Sequence, residues 1–312
     1  MMIVDAHSHV FPRIHGQNGA GPTRGTGYGR AIIGGEEVQV TLPMGEGLAY
    51  SPEQLLANLN WGGVEKAVLL QGPIYGECNH YALDALHRYP DRLVGAAYFD
   101  PWMEDSRQTF ESTLASPGFC AVKLECSVPS GLCGIHPDAQ LGSPDLVWLW
   151  EELESRGLIL VLDLGGIGSR SYQTEAVRTI AVRHARLRIV IAHLGQPRPE
   201  AESEPELWRL WEEQVDLGLL DNVWFDCASL IAFVQEEGYP FPSVERYLRL
   251  AVDRIGANKV MWGTDQPGTL LHATYKQYVE LAKMHTAFLS PSEQARVLGE
   301  TALRVYGKAK IC

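Results

Sequence analysis

Apolar residues recur along this chain in short continuous runs, separated by longer stretches in which they return every three or four positions. The runs are MIVDAHSHV around Asp5, KAVLLQG from Lys66, LVGAAYFD from Leu93 and FCAVKLE from Phe119. They continue with LILVLDL from Leu158, LRIVIAHLG from Leu187, NVWFDCA from Asn222 and KVMWGTD from Lys259. Most lack polar alternation, as parallel strands covered on both faces do. Between them, PDLVWLWEELESRG (Pro144 to Gly157) has helical spacing, with a proline suited to the first turn and a glycine suited to the end. SYQTEAVRTIAVRHA and PELWRLWEEQVDLG follow the same pattern. Eight β-like runs alternating with helical segments predict an α/β chain folded as a (β/α)8 TIM barrel, one domain over residues 1–312.

A doubly wound sheet is the competing architecture. No glycine-rich phosphate turn follows the first run, and polar residues collect where several runs end; both favour the barrel. One segment breaks the rhythm. Residues 12–50, which include GQNGAGPTRGTGYG, read as a long mobile loop after the first strand, a lid or an arm for homo-oligomer formation.

Composition narrows the partners. A net charge of −12 with no basic run argues against nucleic acid or an anionic membrane surface. No run of about eighteen apolar residues predicts a transmembrane helix, and the N-terminus lacks the order of a secretory signal. Cys78, Cys120, Cys126, Cys133, Cys227 and Cys312 form no CxxC pair and read as reduced thiols, although Cys126 and Cys133 are close enough to pair in a loop. A cytoplasmic location is expected.

Candidate chemistry gathers at the run ends. Strand alternation places Asp5, His7 and His9 on one face, and in a closed barrel the last inward positions open onto the catalytic mouth. Two imidazoles there are half of a metal site; the plainer reading is a pair of hydrogen-bonded core histidines. Lys123, Asp163, His193 and Asp265 also end apolar runs, and together they read as one constellation around the mouth. Further out, Tyr75, Asn79 and His80 follow the second run, Arg170 the fifth and Arg13 the first; with Lys123 they are the candidate substrate contacts. Arginines at a barrel mouth suit bidentate binding of a substrate carboxylate, although each alone also reads as an ordinary loop charge. Trp224 and Trp262 lie within runs and read as core.

On these motifs the chain resembles the amidohydrolase superfamily, in its amidohydrolase-related branch of metal-dependent hydrolases, lactonases and nonoxidative decarboxylases. The likeness runs through DAHSHV, HRYPDRLVGAAYFDP, GFCAVKLE, IAHLG, NVWFDCA and GTDQPG, nearly the whole chain. It implies His7 and His9 as metal ligands, Asp265 as eighth-strand ligand or general base, and His193 as the residue that polarises the substrate or shuttles a proton. Asp163 stands where single-metal members usually carry a histidine, and it is expected to be a ligand of the ion or one water away from it. If it binds the ion, the added carboxylate shifts preference from zinc towards manganese. If it does not, the site could work without metal, with Asp265 as base. A fourth-strand lysine bridges two metals in binuclear members after carboxylation; here Lys123 is expected to be an electrostatic element paired with an acidic neighbour.

The leading expectation is a hydrolase using one divalent ion, zinc or alternatively manganese, on a lactone, ester or amide of a small carboxylate-bearing molecule. Asp265 or Asp163 would take the proton of the attacking water, and His193 would stabilise the oxyanion. The second reading is a nonoxidative decarboxylase of an aromatic or muconate-type acid, and the third a metal-free or non-catalytic barrel. Decarboxylases of this branch generally keep the fifth-strand histidine, so Asp163 favours hydrolysis.

Overall fold

In the computed structural model, which describes residues 1–307, the eight runs form eight parallel strands paired in chain order. They are β1 (Val4–Ser8), β2 (Lys66–Leu69), β3 (Leu93–Tyr98), β4 (Ala121–Glu125), β5 (Ile159–Asp163), β6 (Arg188–Ile191), β7 (Val223–Asp226) and β8 (Val260–Met261). Ala6 N–H donates to Trp262 O at 2.9 Å and Asp265 N–H to His7 O at 2.7 Å, which joins the chain leaving β8 to β1 and closes the barrel. Each strand is followed by a covering helix: α1 (Pro52–Gly62), α2 (Asn79–Arg88), α3 (Ser106–Leu114), α4 (Val147–Arg156), α5 (Thr174–Arg183), α6 (Pro205–Val215), α7 (Pro242–Ile255) and α8 (Tyr275–His285). α4 shows why the sequence signals work. Pro144 opens a short 3-10 turn before it, and Gly157, at φ 68°, supplies the left-handed cap after it.

Two apolar cores result. The larger lies between strands and helices; in α7 it takes Val244, Tyr247, Leu248, Ala251, Val252 and Ile255, an i, i+3, i+4 stripe. The smaller draws on all eight strands, with Val4, Ala6, Val68, Ala96, Ala121, Val161, Val190, Trp224 and Met261, so it fills the barrel. Ala302, Val305 and Tyr306 of the last helix join it. Trp262 packs in the outer core.

β1 departs from simple alternation. Its pairing with β2 slips between Asp5 and Ser8, where three steps of β1 match two of β2. Such a bulge reverses which side chains face inward. Asp5 therefore does not share a face with His7 and His9. Its carboxylate accepts hydrogen bonds from Thr264 Oγ1 at 2.7 Å and Tyr275 OH at 3.1 Å, among the helices.

Residues 12–50 are not the bare loop expected. Gln17–Asn18 pairs with Gly21–Pro22, and Arg24–Gly27, Arg30–Ile33 and Glu36–Gln39 form a three-stranded antiparallel sheet. Gly34 and Gly35, at φ 66° and 87°, make the two-residue turn between the last two strands, a conformation costly for other residues. Ile14, Ala31, Leu48 and Tyr50 anchor the segment in the outer core. Cys78, Cys120, Cys126, Cys133 and Cys227 are buried free thiols, and Cys312 lies outside the described residues. Among the described residues no helix is long and apolar enough to cross a membrane.

Candidate active site

The strand ends converge on a cavity of about 330 Å³ lined by His9, Lys123, Asp163, His193 and Asp265 from the expected constellation, together with Tyr75. His7 lies fully buried beneath it, its ring 5.1 Å from that of His9 and 4.8 Å from that of His193. None of residues 12–50 lines this cavity. A larger open groove, about 1350 Å³, runs between Pro101–Gln108 and Asp138–Glu151 and has no histidine in its wall.

Hydrogen-bond partners fix the protonation of the first two histidines. His9 Nδ1 faces the carbonyl oxygen of Leu70, which can only accept, so Nδ1 carries the proton. His7 Nδ1 likewise lies 3.1 Å from the Asp226 carboxylate. Burial lowers both imidazoles, His9 to about 4, so each is neutral near pH 7 with a bare Nε2. Those lone pairs meet Asp265 Oδ1, 2.7 Å from His9 Nε2 and 3.6 Å from His7 Nε2. Burial opposes the charge of Asp265, yet the carboxyl is held below its ordinary value, with the positive charge of nearby His193 contributing.

Three lone pairs thus face one another with no proton between them. A cation relieves that arrangement, and one that the chain itself supplies is Lys123, whose Nζ is 3.4 Å from His7 Nε2. His7, His9 and Asp265 fit a small divalent ion, since their donor atoms lie within 4.8 Å of one another and each histidine is oriented by its second nitrogen. Lys123 is 98 % buried and has its carboxylate partner in Glu125, Nζ to Oε2 3.3 Å.

Asp163 turns elsewhere. Its Oδ2 is 3.1 Å from His193 Nε2, while its Oδ1 accepts from Gln196 Nε2 at 3.0 Å and Gly165 N–H at 2.9 Å. Among the described residues two groups of donors could hold an ion, His7 with His9 and Asp265 and His7 with His193 and Asp226, and Asp163 belongs to neither. Instead it is the counter-ion of His193. The other His193 nitrogen faces Ala228 O at 3.2 Å, so both nitrogens have acceptors and the ring is a cation. Burial opposes that charge, but the Asp163 carboxylate overrides it and pushes the imidazole up to about 10.

The backbone at these strand ends is strained. His193, Ser229 and Asp265 have φ of 59°, 62° and 63°, a region unfavourable to residues with a Cβ. Ser229 donates its hydroxyl to Asp265 Oδ2.

Four expected substrate contacts lie away from the cavity. Arg13 is exposed, as is Arg170, whose guanidinium donates to the Cys133 carbonyl. His80 is exposed on α2, and Asn79 is a clamp for β3, bonded to both the N–H and the carbonyl of Tyr98. Loops lack the periodicity that tells which way a side chain faces. Asp226, Glu125, Ser229, Gln196 and Arg198 belong to the site or its support and were missed. Asp226 and Glu125 carried the same signal as Asp163, a charge ending an apolar run.

The chain's relatives agree with this architecture. It is 26 % identical over 269 residues to an L-fucono-1,5-lactonase of Burkholderia ambifaria, covering 82 % of this chain and 85 % of that protein. Its fold is similar to that of a zinc-bound amidohydrolase of Burkholderia multivorans, with TM-score 0.73, 16 % identity, and 98 % and 99 % of the two chains covered. A 2,6-dihydroxybenzoate decarboxylase also shares the fold, with TM-score 0.59, 15 % identity, and 82 % and 87 % covered. The amidohydrolase family model matches residues 4–308, nearly the whole barrel with the strand ends that line its mouth: the chain belongs to the amidohydrolase family.

Proposed function

We propose that this enzyme opens the lactone ring of a small hydroxy acid, with a divalent ion held by His7, His9 and Asp265. The observation that carries the reading is the convergence of three unprotonated donors on one polar cavity beside a cationic histidine. The relative named L-fucono-1,5-lactonase supports a lactone over an amide. With Asp163 committed to His193, two imidazoles and one carboxylate remain, a donor set that suits zinc better than manganese. The zinc-bound relative is in keeping with that choice.

When bound, the ion supplies Lewis-acid polarisation of a carbonyl and makes nearby water more acidic. The protein supplies the rest. Asp265, held by Ser229, accepts the proton of the attacking water. His193 places a positive charge beside the oxygen on which negative charge develops, and Asp163 keeps it protonated. Arg198 lines the cavity, stacks at 4.9 Å over Phe233 and has a buried Nε without a partner, so it is the cation available to a substrate or product carboxylate.

The test is a panel of aldonolactones and simple lactones, read by proton release, beside hydroxybenzoates read by carbon dioxide release. Ring opening at a catalytic rate is expected. Carbon dioxide release with every lactone left intact would overturn the reading in favour of a decarboxylase.

A further inference from the structure

Glu125 ends β4 and lines the cavity together with Asp265. The strands that carry them, β4 and β8, are four apart in an eight-stranded barrel, so the two carboxyls enter from opposite sides of the mouth. Glu125 pairs in register with Asp163, accepts from Ser127 Oγ at 2.5 Å, and keeps 14 % side-chain exposure towards the cavity. Lys123 on its own strand, Asp163 on β5, Tyr75 beyond β2, Tyr98 on β3 and the Cys126 thiol are the titratable groups around it.

Opening an aliphatic lactone expels an alkoxide, whose conjugate acid is about as weak as water, pKa about 16. Such a group leaves readily only if it gains a proton as the bond breaks. Asp265 is occupied with the attacking water, on the far side of the ring being opened.

We infer that Glu125 is the general acid of this reaction, handing its carboxyl proton to the ring oxygen across the mouth from Asp265. The inference rests on the lactone reading above. Water oxygen bonds to the carbonyl carbon and one water proton goes to Asp265. The ring carbon–oxygen bond breaks, its electron pair stays on the ring oxygen, and that oxygen takes the Glu125 proton. The product is the open hydroxy acid; Asp265 releases its proton to solvent and Glu125 regains one, so protons balance.

The surroundings support the assignment. Burial, then the Asp163 carboxylate, pushes the Glu125 carboxyl up to about 7, against the pull of Lys123.

The experiment compares E125Q and E125A with the unaltered enzyme on δ-valerolactone, whose leaving group is an alkoxide, and on dihydrocoumarin, whose leaving group is a phenoxide of pKa about 10. On valerolactone kcat should fall about 10²- to 10⁴-fold, and on dihydrocoumarin by less than about tenfold. The ratio between the two substrates is internal to each variant and does not depend on how much protein folds. The decline of kcat above pH 7 on valerolactone should also vanish in E125Q. Equal losses on both lactones would overturn the inference and leave Glu125 as the anchor of Lys123. Unchanged turnover of valerolactone would overturn it too. Failure of the unaltered enzyme on every lactone would instead remove the lactone reading, and the inference with it.

Discussion

His7 Nδ1 lies 3.1 Å from Oδ2 of Asp226, and both side chains are wholly buried. The same carboxylate accepts the backbone N–H of His193 through Oδ1 at 3.1 Å. One residue at the end of β7 thus sets the tautomer of a proposed metal ligand and props up the strained turn that presents the cationic histidine. Carboxylates that orient a ligating imidazole commonly matter nearly as much as the ligand.

D226N is therefore expected to lose about 10- to 100-fold in zinc affinity or kcat/KM while it still folds. The asparagine can offer an N–H to His7 Nδ1 and so select the wrong tautomer. Metal content after dialysis, measured beside turnover, checks this. Unchanged values for both would show that the pair is packing alone.

His7→Ala removes one of three converging donors. It should abolish metal retention and turnover together. Chelation of the unaltered enzyme should do the same reversibly, with zinc restoring activity. Full activity in metal-stripped protein would refute the ion's part and leave Asp265 acting as base alone.

Ser229 sits at φ 62° and donates to Asp265. S229G and S229A both lose that hydrogen bond, but only glycine relieves the left-handed strain. S229G should be more stable than S229A by about 1 kcal/mol, and both should turn over more slowly than the parent. Urea denaturation orders the pair; equal stabilities would mean that no strain is stored there.

His285 is buried with Nε2 2.7 Å from the Pro240 carbonyl. Burial lowers its pKa, more than the hydrogen bond to Pro240 raises it. The unfolded chain, with an imidazole near 6.5, therefore binds the extra proton first, and the stability contributed is lost as pH falls through and below that value. The urea midpoint should fall between pH 7.5 and 5.5 by more in the parent than in H285Q. Parallel declines would sink the assignment.

Much of the site was legible because barrel topology turns a one-dimensional signal into a location. A polar residue closing an apolar run stands at the mouth, whichever strand carries it. His7, His9, Lys123, Asp163, His193 and Asp265 all follow that rule, and Asp226 and Glu125 obey it as well, although the sequence reading passed over them. Arg13, Arg170, Asn79 and His80 do not, because they sit in loops or at a helix start, where no strand period governs direction.

The chain alone determined the number of strands, their order and the residues at their ends, since each follows from local patterning that strand pairing then reinforces. Tertiary structure decided what those residues do to one another. A bulge between Asp5 and Ser8 sends Asp5 to the helices and turns the HxH pair inward. A 3.1 Å contact between the side chains that end β5 and follow β6 commits Asp163 to His193, so the residue expected to bind metal keeps a cation charged instead. Glycine turns in residues 12–50 build a small sheet where a loop was expected. Protonation, partner choice and strain depend on contacts between residues 30 to more than 250 positions apart, and local patterning carries no record of such separations.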